Sequence, residues 1–450
     1  MRKKIMILIS ILTISLFGGC AIDGSVEKMM KPPKLSISQE EVKNILKDIL
    51  EPDAELKMPM NGENTSAIQF VNLDEDKEEE ILVFYILEND SMPLRTLILD
   101  KKEKWNIIDG IKGIGNDFDI VKFGDITGDG TLEAIIGYKG EGFFADKGLS
   151  VYDYKDGEVK EIFNNFYSAF ASGDLDEDRI DELVLLKSDR EEGKAKAELY
   201  KYNKSQIRKI DETKMEAYTN YGHIVVGKAT ENKVGVFVDE GVGAHSCKTE
   251  LLIMENGKLK NVFWDDEKEF SDKTFRAYFT ESQDVDNDGI IEIALLRAPI
   301  ASGDGSMAGT PWITTWHNWD GNKELIYKSQ SFFDYSLGFY FDFPEKWGVN
   351  IAIDGSDPNL YKEEQWIRFN YYDEENEEKH PLLTIEAINN NKWEEKQKEY
   401  EDKNLNYFKL GNKADKIYIG ILEENTENST VSEMILDIEE VKANFNIIDK

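Results

Sequence analysis

Short apolar runs separated by polar turns fill residues 65–330 and repeat in units with a common order. In each unit, one apolar run precedes an acidic loop, a second run follows the loop, and a hairpin completes the unit. The runs before the loops span residues 67–71, 118–123, 166–171, 223–226 and 275–280. Four strands in roughly 50 residues is the period of a propeller blade. The five units therefore predict a mainly β chain, with a five-bladed β-propeller-like repeat domain over residues 65–330.

The regions on either side of the repeats show different patterns. Over residues 36–64, Ser38 and Glu41 form a capping box ahead of apolar positions at helical spacing, which predicts a helix that ends before Pro52. Beyond residue 330, strands are predicted at 339–343, 367–372, 382–388, 407–410 and 416–422, and helices at 392–403 and 431–445. This order predicts a C-terminal α+β domain over residues 331–450.

The acidic loop of the last repeat unit has the layout of a calcium site. Asp284, Asp286, Asp288 and Glu292 occupy positions 1, 3, 5 and 9 of the loop, and Gly289 occupies position 6. Calcium takes six to eight oxygen ligands, so alternate residues of a tight turn can converge on one ion, with position 7 lending its backbone carbonyl. An EF-hand needs a bidentate glutamate at position 12, where this loop has a leucine, so the EF-hand is excluded.

Three further loops share the 1-3-5-9 spacing of side-chain oxygens. The four predicted ligand sets, with the position-7 residue included in the first three, are Asp284, Asp286, Asp288, Ile290 and Glu292; Asp125, Thr127, Asp129, Thr131 and Glu133; Asp174, Asp176, Asp178, Ile180 and Glu182; and Asn72, Asp74, Asp76 and Glu80. One more copy, over residues 227–236, has Lys228 and Val236 in place of the acids, which predicts that it binds no calcium. Numbered in chain order, this copy is the fourth loop, and the loop at 284–292 is the fifth. Lys77 and Arg179 replace the position-6 glycine of two loops. The alternative for each loop is an acidic turn without an ion.

Two parts of the chain resemble known families. Residues 124–133, 173–178 and 284–292 resemble the FG-GAP and VCBS repeats of integrin-type and bacterial surface propellers, which implies Ca²⁺ in the loop joining the first two strands of a blade. The aromatic segment 339–347, with its Phe-Pro pair and following tryptophan, loosely resembles the start of PsbP-like domains found in many bacterial lipoproteins. That resemblance implies a non-catalytic binding or assembly role for the C-terminal domain.

The first 20 residues have the features of an export signal. Three positive residues precede an apolar stretch over residues 5–17 that is too short to span a membrane, and Gly18-Gly19-Cys20 follows. The ending resembles a bacterial lipobox. This resemblance implies that residues 1–20 are a lipoprotein signal peptide, that Cys20 is lipidated, and that the mature protein is extracytoplasmic and anchored to the bacterial membrane. Residues 21–35 are predicted to be a tether, and Cys247 has no cysteine left to pair with.

Net charge narrows the classes of partner. The formal net charge of −35 makes nucleic acid an unfavourable partner.

No nucleophile elbow, zinc-protease motif or phosphate loop occurs in the sequence. The segment 298–311 leads into Trp312, Trp316 and Trp319, whose rings could form a platform for a sugar or peptide or could be packing residues.

Two functions remain after these exclusions. The first is a lipid-anchored, calcium-stabilised binding or scaffold protein with an extracellular protein or glycan as its ligand. The alternative is a surface glycoside hydrolase or lyase that uses axial carboxylates of the propeller. Hydrolysis would require carboxylates from different blades to meet in one pocket, about 5 to 10 Å apart. Whether the protein is an enzyme is therefore left open by the sequence.

Overall fold

The computed structural model describes residues 37–101, 105–140, 147–268, 270–302, 306–356, 364–423 and 429–448. The predicted signal peptide, the tether and the predicted lipidation site Cys20 lie outside the described residues. The chain divides into two compact units, residues 1–55 and 56–450. None of the helices in the described ranges has the length and hydrophobicity that crossing a bilayer requires.

In the described part of the first unit, from residue 37 onwards, helix α1 spans Ile37–Ile49. Val42 and Leu46, one turn apart, are buried, as expected for the apolar face of an amphipathic helix. The helix ends ahead of Pro52, whose missing N–H disfavours a continued helix. A short strand, β1 (Ala54–Leu56), begins at the end of this unit.

The second unit is built from antiparallel sheets that follow one another along the chain. The first four are β2–β5 (Ile68–Val71, Glu80–Leu87, Leu94–Lys101, Trp105–Gly113), β6–β9 (Asp117–Gly124, Glu133–Lys139, Lys147–Lys155, Glu158–Tyr167), β10–β13 (Ala169–Gly173, Glu182–Asp189, Lys194–Asn203, Gln206–Met215) and β14–β17 (Asn220–Thr230, Lys233–Val242, Ser246–Glu255, Lys258–Asn261). In the second, third and fourth sheets the order of strands is the order of the chain, and in the first sheet β3, β4 and β5 are neighbours in that order while β2 pairs with β3. A mainly β fold is therefore confirmed.

Two more sheets and three helices complete the second unit. The fifth sheet contains β18–β21 (Ile293–Arg297, Ile313–Trp319, Leu325–Asp334, Phe339–Asp342), and the sixth contains β22–β26 (Ile351–Gly355, Glu364–Asp373, Glu378–Asn389, Asn406–Lys413, Lys416–Leu422). The helices are α2 (Trp393–Asp402), α3 (Ser429–Met434) and α4 (Ile438–Asn444), and β27 (Phe445–Ile447) joins the fifth sheet beside β21.

Hydrophobic clusters join each sheet to the next. In β7, Ile136 packs with Phe84 of the first sheet, while its neighbour Ile135 packs with Leu183 of the third sheet. Successive side chains of a strand point to opposite faces, so both faces of the second sheet are buried. Similar clusters join the third sheet to the fourth, the fourth to the fifth and the fifth to the sixth. The middle strands consequently have continuous apolar runs instead of alternating ones.

The fourth unit, whose loop lacks acids, forms a complete four-stranded sheet, β14–β17. Thr230 pairs with Lys233, so its first two strands are joined by a tight turn instead of a longer loop. The predicted hairpin at Asn256-Gly257 is present, with both residues at positive φ as a type I′ turn requires.

The strand predicted over residues 275–280 is absent, and this prediction was wrong. Arg276 instead pairs through both backbone groups with Cys247 of β16, with N···O distances of 3.0 and 2.8 Å. The short β17 pairs only with the far end of β16, from Leu252 onwards, and leaves the rest of that edge open. The segment that precedes the fifth loop fills this edge, so it cannot also form the first strand of the fifth sheet.

Two expectations for the C-terminal region also change. The aromatic strand β21 hydrogen-bonds with β20 and therefore belongs to the fifth sheet. The single closing helix is two short helices, because Asp437 restarts the helix as an N-cap and forms a reciprocal capping box with Glu440. The division of the chain into a repeat region and a C-terminal domain at residue 330 stays a prediction.

Candidate metal centres

The four acidic loops have one hydrogen-bonding scheme. In every loop, the position-9 glutamate accepts a hydrogen bond from the backbone N–H of position 2. The four bonds are Leu73 to Glu80 (2.6 Å), Ile126 to Glu133 (2.7 Å), Leu175 to Glu182 (2.9 Å) and Val285 to Glu292 (3.0 Å). All four glutamates are fully buried. In each loop, one glutamate carboxylate therefore connects the last position of the loop to its second position.

The carboxylate at position 5 organises the middle of each loop. Its Oδ1 accepts the backbone N–H of position 7 at 2.7 to 3.1 Å in every copy, and the four acceptors are Asp76, Asp129, Asp178 and Asp288. In two loops the position-1 aspartate, Asp174 or Asp284, also accepts the N–H groups of positions 5 and 6. In the first loop Asn72 instead donates its side-chain amide to the Asp76 carbonyl.

Backbone conformation repeats as well. Position 4 has positive φ in all four loops, occupied by Glu75, Gly128, Glu177 and Asn287. Position 6 has positive φ at Gly130, Gly289 and Arg179, so the arginine adopts the conformation that glycine favours. Lys77 has no positive φ, and the first loop differs from the others at this point. The left-handed residue at position 4 was missed from the sequence because two of its four occupants are glutamates.

Three of the loops bring carboxylates together closely enough to hold a metal ion. Ligand oxygens lie within 4.8 Å of one another in each of three groups: Asp74, Asp76 and Glu80; Asp174, Asp176 and Glu182; and Asp284, Asp286 and Glu292. In the second loop Thr127 stands at position 3, and its hydroxyl donates to Glu133 at 3.1 Å. That loop therefore offers a hydroxyl oxygen where the others offer a carboxylate.

Burial disfavours the negatively charged form of the position-9 glutamates. Desolvation raises the pKa of Glu80 and of Glu133 to about 7. It also raises the pKa of Glu182 and of Glu292. Oε1 of Glu80 and Oδ1 of Asn72 are buried and have no hydrogen-bond partner among the described residues. A buried carboxylate oxygen such as Oε1 of Glu80 needs a cation or a proton, and a bound metal ion would supply the charge.

The side chain that meets the position-9 glutamate differs from loop to loop. Asp100 and Asp153 lie near Glu80 and Glu133 and raise the pKa of those carboxyls, after the larger effect of burial. Glu292 accepts a hydrogen bond from Asn318 at 2.7 Å. In the third loop the partner is a lysine.

Lys201 fills the third loop with a positive charge. Its Nζ lies 2.8 Å from Asp176, 2.7 Å from Asp178 and 2.6 Å from Glu182. The ammonium of Lys201 therefore offsets part of the negative charge of the third cluster and occupies the space between its carboxylates. In the fifth loop Lys328 reaches Asp286 and Asp288 at 2.8 and 2.7 Å but not Glu292.

Backbone hydrogen bonds connect neighbouring loops. Asp181 in the third loop donates its N–H to the Asp125 carbonyl of the second loop at 2.8 Å. Ile291 in the fifth loop donates in the same way to Lys228 in the fourth unit at 2.9 Å. An ion that fixed one loop would therefore also act on the contact with the adjacent sheet.

Buried charges also occur outside the loops, in the fourth sheet. Asp239 is fully buried and accepts hydrogen bonds from the Arg276 guanidinium (3.0 Å), from Ser282 and Thr249, and lies 3.0 Å from Nδ1 of His223. The bond to Asp239 raises the pKa of His223. This network attaches the segment before the fifth loop to the fourth sheet.

Of the two alternatives for the three tryptophans, platform or packing, packing applies to two of them. Trp316 and Trp319 are 1% and 3% exposed, so they pack in the core, and Trp319 belongs to the cluster between the fourth and fifth sheets. Trp312 lines a cavity of about 840 Å³ together with aromatic residues that include Tyr278 and Tyr335.

No model of a protein family matches the chain, and no curated protein sequence matches it. Among solved structures, the chain is similar to an exotype rhamnogalacturonan lyase, with 12% identity and a TM-score of 0.28 over 74% of this chain and 69% of that one. It is also similar to the fructosyltransferase from A. japonicus, with 9% identity and a TM-score of 0.20 over 68% and 65% of the two chains. Similarities this low carry no argument about fold or function.

Proposed function

We propose that the chain is a calcium-stabilised binding or scaffold protein, anchored by a lipid on Cys20 and exposed outside the bacterial cytoplasmic membrane. The observation that carries the calcium part is the common design of the four loops, each closed by a fully buried glutamate. A design repeated along successive sheets favours structural ions over a single catalytic ion.

Calcium is the ion that the donor atoms favour. The three clusters contain only carboxylates, and the remaining predicted ligands are hydroxyl, amide and backbone oxygens. Calcium binds six to eight such oxygens in flexible geometry, whereas magnesium demands near-ideal octahedral geometry and zinc prefers nitrogen and sulfur ligands. A bound ion would link the two strands that each loop connects and would stabilise the folded state.

The sheets are proposed to act as the blades of a propeller-like repeat domain, followed by an α+β domain. Two observations support this arrangement. Consecutive sheets pack face to face, and the first strands of the second, third and fourth sheets, β6, β10 and β14, line one cavity. First strands that surround an axis are typical of propellers. The calcium loops would then stabilise a rigid support for binding surfaces.

The alternative, a surface glycoside hydrolase or lyase, is less well supported. Glu63, Asp119 and Asp181 line the same cavity, so carboxylates from different parts of the chain do share a pocket. Asp119, however, is held by Asn61 at 2.8 Å, by Tyr167 at 2.5 Å and by Lys147 at 3.0 Å. A carboxylate with three donors in place is a poor base or nucleophile, and we favour binding over catalysis.

Membrane anchoring is tested by the substitution Cys20→Ala. The unmodified chain is expected in the membrane fraction of its host and to be released by detergent, because a lipid on Cys20 would hold it there. Cys20→Ala is expected in the soluble fraction, and Cys247→Ala, which changes the buried cysteine, serves as the control and is expected to remain in the membrane fraction. Fractionation and immunoblotting measure the distribution. A Cys20→Ala chain that stays with the membrane would contradict the anchor.

Lys201→Met tests the charge of the third loop. In a chelator, the variant is expected to lose about 2 kcal/mol of stability, because three carboxylates lose a charged hydrogen-bond donor. Calcium is expected to recover most of this loss, because the loop then accepts an ion in place of the ammonium. Denaturant unfolding with and without calcium measures both effects. Lys194→Met, whose partner Glu192 is exposed, is the matched control, and an equal calcium response in the two variants would contradict the assignment.

A further inference from the structure

A polar cavity of about 620 Å³ lies along the first strands β6, β10 and β14. Its volume is in the range of small-molecule sites, about 300 to 1,000 Å³. Residues 61–64 form one border, and the isolated bridge between Asn61 and Ile120 fixes this segment to the second sheet. We refer to it as the first-strand cavity.

Part of the wall is already satisfied by internal contacts. Asp119 is saturated by Asn61, Tyr167 and Lys147, which also uses the charge of that lysine. Nδ1 of His223 is used by Asp239, while its Nε2 makes no hydrogen bond within the described part of the chain. These groups give the cavity a fixed shape and leave one imidazole nitrogen available.

Two oppositely charged groups in the cavity are not satisfied. The ammonium of Lys122 lies 5.9 Å from the centre of the Phe170 ring and makes no hydrogen bond or ion pair within the described ranges. The carboxylate of Asp181 likewise makes none with another described side chain, although the two charges attract each other at longer range. Burial lowers the pKa of Lys122. A cation and an anion that line one cavity without touching can be bridged by a ligand that carries both charges.

We infer that the first-strand cavity binds a small zwitterion of the α-amino acid class, with its carboxylate on Lys122 and its ammonium on Asp181. Nε2 of His223 and the hydroxyl of Ser172 also line the cavity and add hydrogen-bonding capacity. A zwitterion brings no net charge into a space where the carboxylates of Glu63 and Asp181 already attract the ammonium of Lys122. Lys122 and Asp181 are both half-buried, and a ligand with one charge would satisfy one of them and leave the other without a partner.

This inference rests on the proposed binding function and names its ligand class. The test is a thermal-shift measurement on the full chain in detergent with saturating calcium. The probe is a mixture of the common L-amino acids at millimolar concentration, compared with propionate and with ethylamine, which each carry one of the two charges. The mixture is expected to raise the Tm, and the two single-charge compounds are expected to change it much less. The individual amino acids then identify the component responsible.

Substitution of Lys122 locates the effect in the first-strand cavity. Lys122→Gln is expected to weaken binding of the active amino acid about tenfold or more, because a charged hydrogen bond contributes about 1.5 to 3 kcal/mol. Lys160→Gln, on the exposed face of β9, is the matched control and is expected to bind normally. No shift with the mixture, equal shifts with propionate and the mixture, or unchanged binding by Lys122→Gln would each overturn the inference. A calcium-dependent Tm without an amino-acid response would overturn it and leave the calcium proposal standing.

Discussion

Calcium is expected to raise the Tm of the protein by about 8 °C, and excess chelator is expected to reverse the shift. An ion present at about 100 times its dissociation constant contributes about 2.7 kcal/mol, and several loops would contribute together. The effect is expected because three of the four buried glutamates that close the loops, Glu80, Glu133 and Glu292, contact no positively charged side chain among the described residues. Differential scanning calorimetry in calcium and in chelator measures it.

The double substitution Asp284→Asn with Asp286→Asn assigns part of the shift to the fifth loop. Asparagine at position 284 keeps one of the two oxygens that accept the backbone N–H groups of Asp288 and Gly289, so part of the loop's hydrogen bonding is retained while two negative charges are lost. The calcium-dependent part of the Tm is expected to fall by about a third, because one of three ion sites is removed. Glu374→Gln with Glu375→Gln, in an exposed turn, is the control. A calcium shift of the same size in both variants would exclude the fifth loop.

The second large effect is expected from Arg276→Met, which should destabilise the fold by about 3 to 5 kcal/mol. Arg276 and Asp239 are both fully buried, and the substitution leaves the carboxylate of Asp239 with its neutral donors and His223 as the remaining partners. The same change weakens the attachment of the segment before the fifth loop to β16. Denaturant unfolding measures the loss. Arg208→Met, an exposed arginine that contacts Gln206, is the control.

A double substitution separates the charge effect from lost packing. Arg276→Met combined with Asp239→Asn removes both buried charges, so the pair is expected to be less destabilising than the sum of the two single changes. A loss under about 1 kcal/mol for Arg276→Met alone, or strict additivity of the two changes, would contradict a strong buried ion pair.

The acidic loops could be predicted because their signal is local. The side chains at positions 1, 3, 5 and 9 lie within one short turn, and the structure gives all four copies the same bonds to the position-9 glutamate. The fourth unit, whose loop lacks acids, was also predicted, because Asp174 and Asp284 lie 110 residues apart, about twice the period of the repeat. Its sheet forms without an ion, because the two-residue turn between β14 and β15 needs no loop ligands.

Features that depend on distant parts of the chain could not be predicted. The apolar segment at 275–280 has the composition of a strand, but within it Arg276 pairs with Cys247 on the edge of β16 that β17 leaves open. Lys201 is one of many lysines in the sequence, and only the pairing of β11 with β12 places it against Glu182. The first-strand cavity combines residues that are far apart in sequence, so neither Lys122 nor His223 stood out.

The central claim, that the repeated loops hold calcium, is tested most directly by counting bound ions. The full chain is equilibrated with calcium, passed through a desalting column and analysed for metal and protein by elemental mass spectrometry. Because Lys201 occupies the third loop, the first, second and fifth loops predict three calcium ions per chain, and Asp284→Asn with Asp286→Asn predicts one ion fewer. A chain that retains no calcium, or a variant that retains as much as the unmodified protein, would contradict the account.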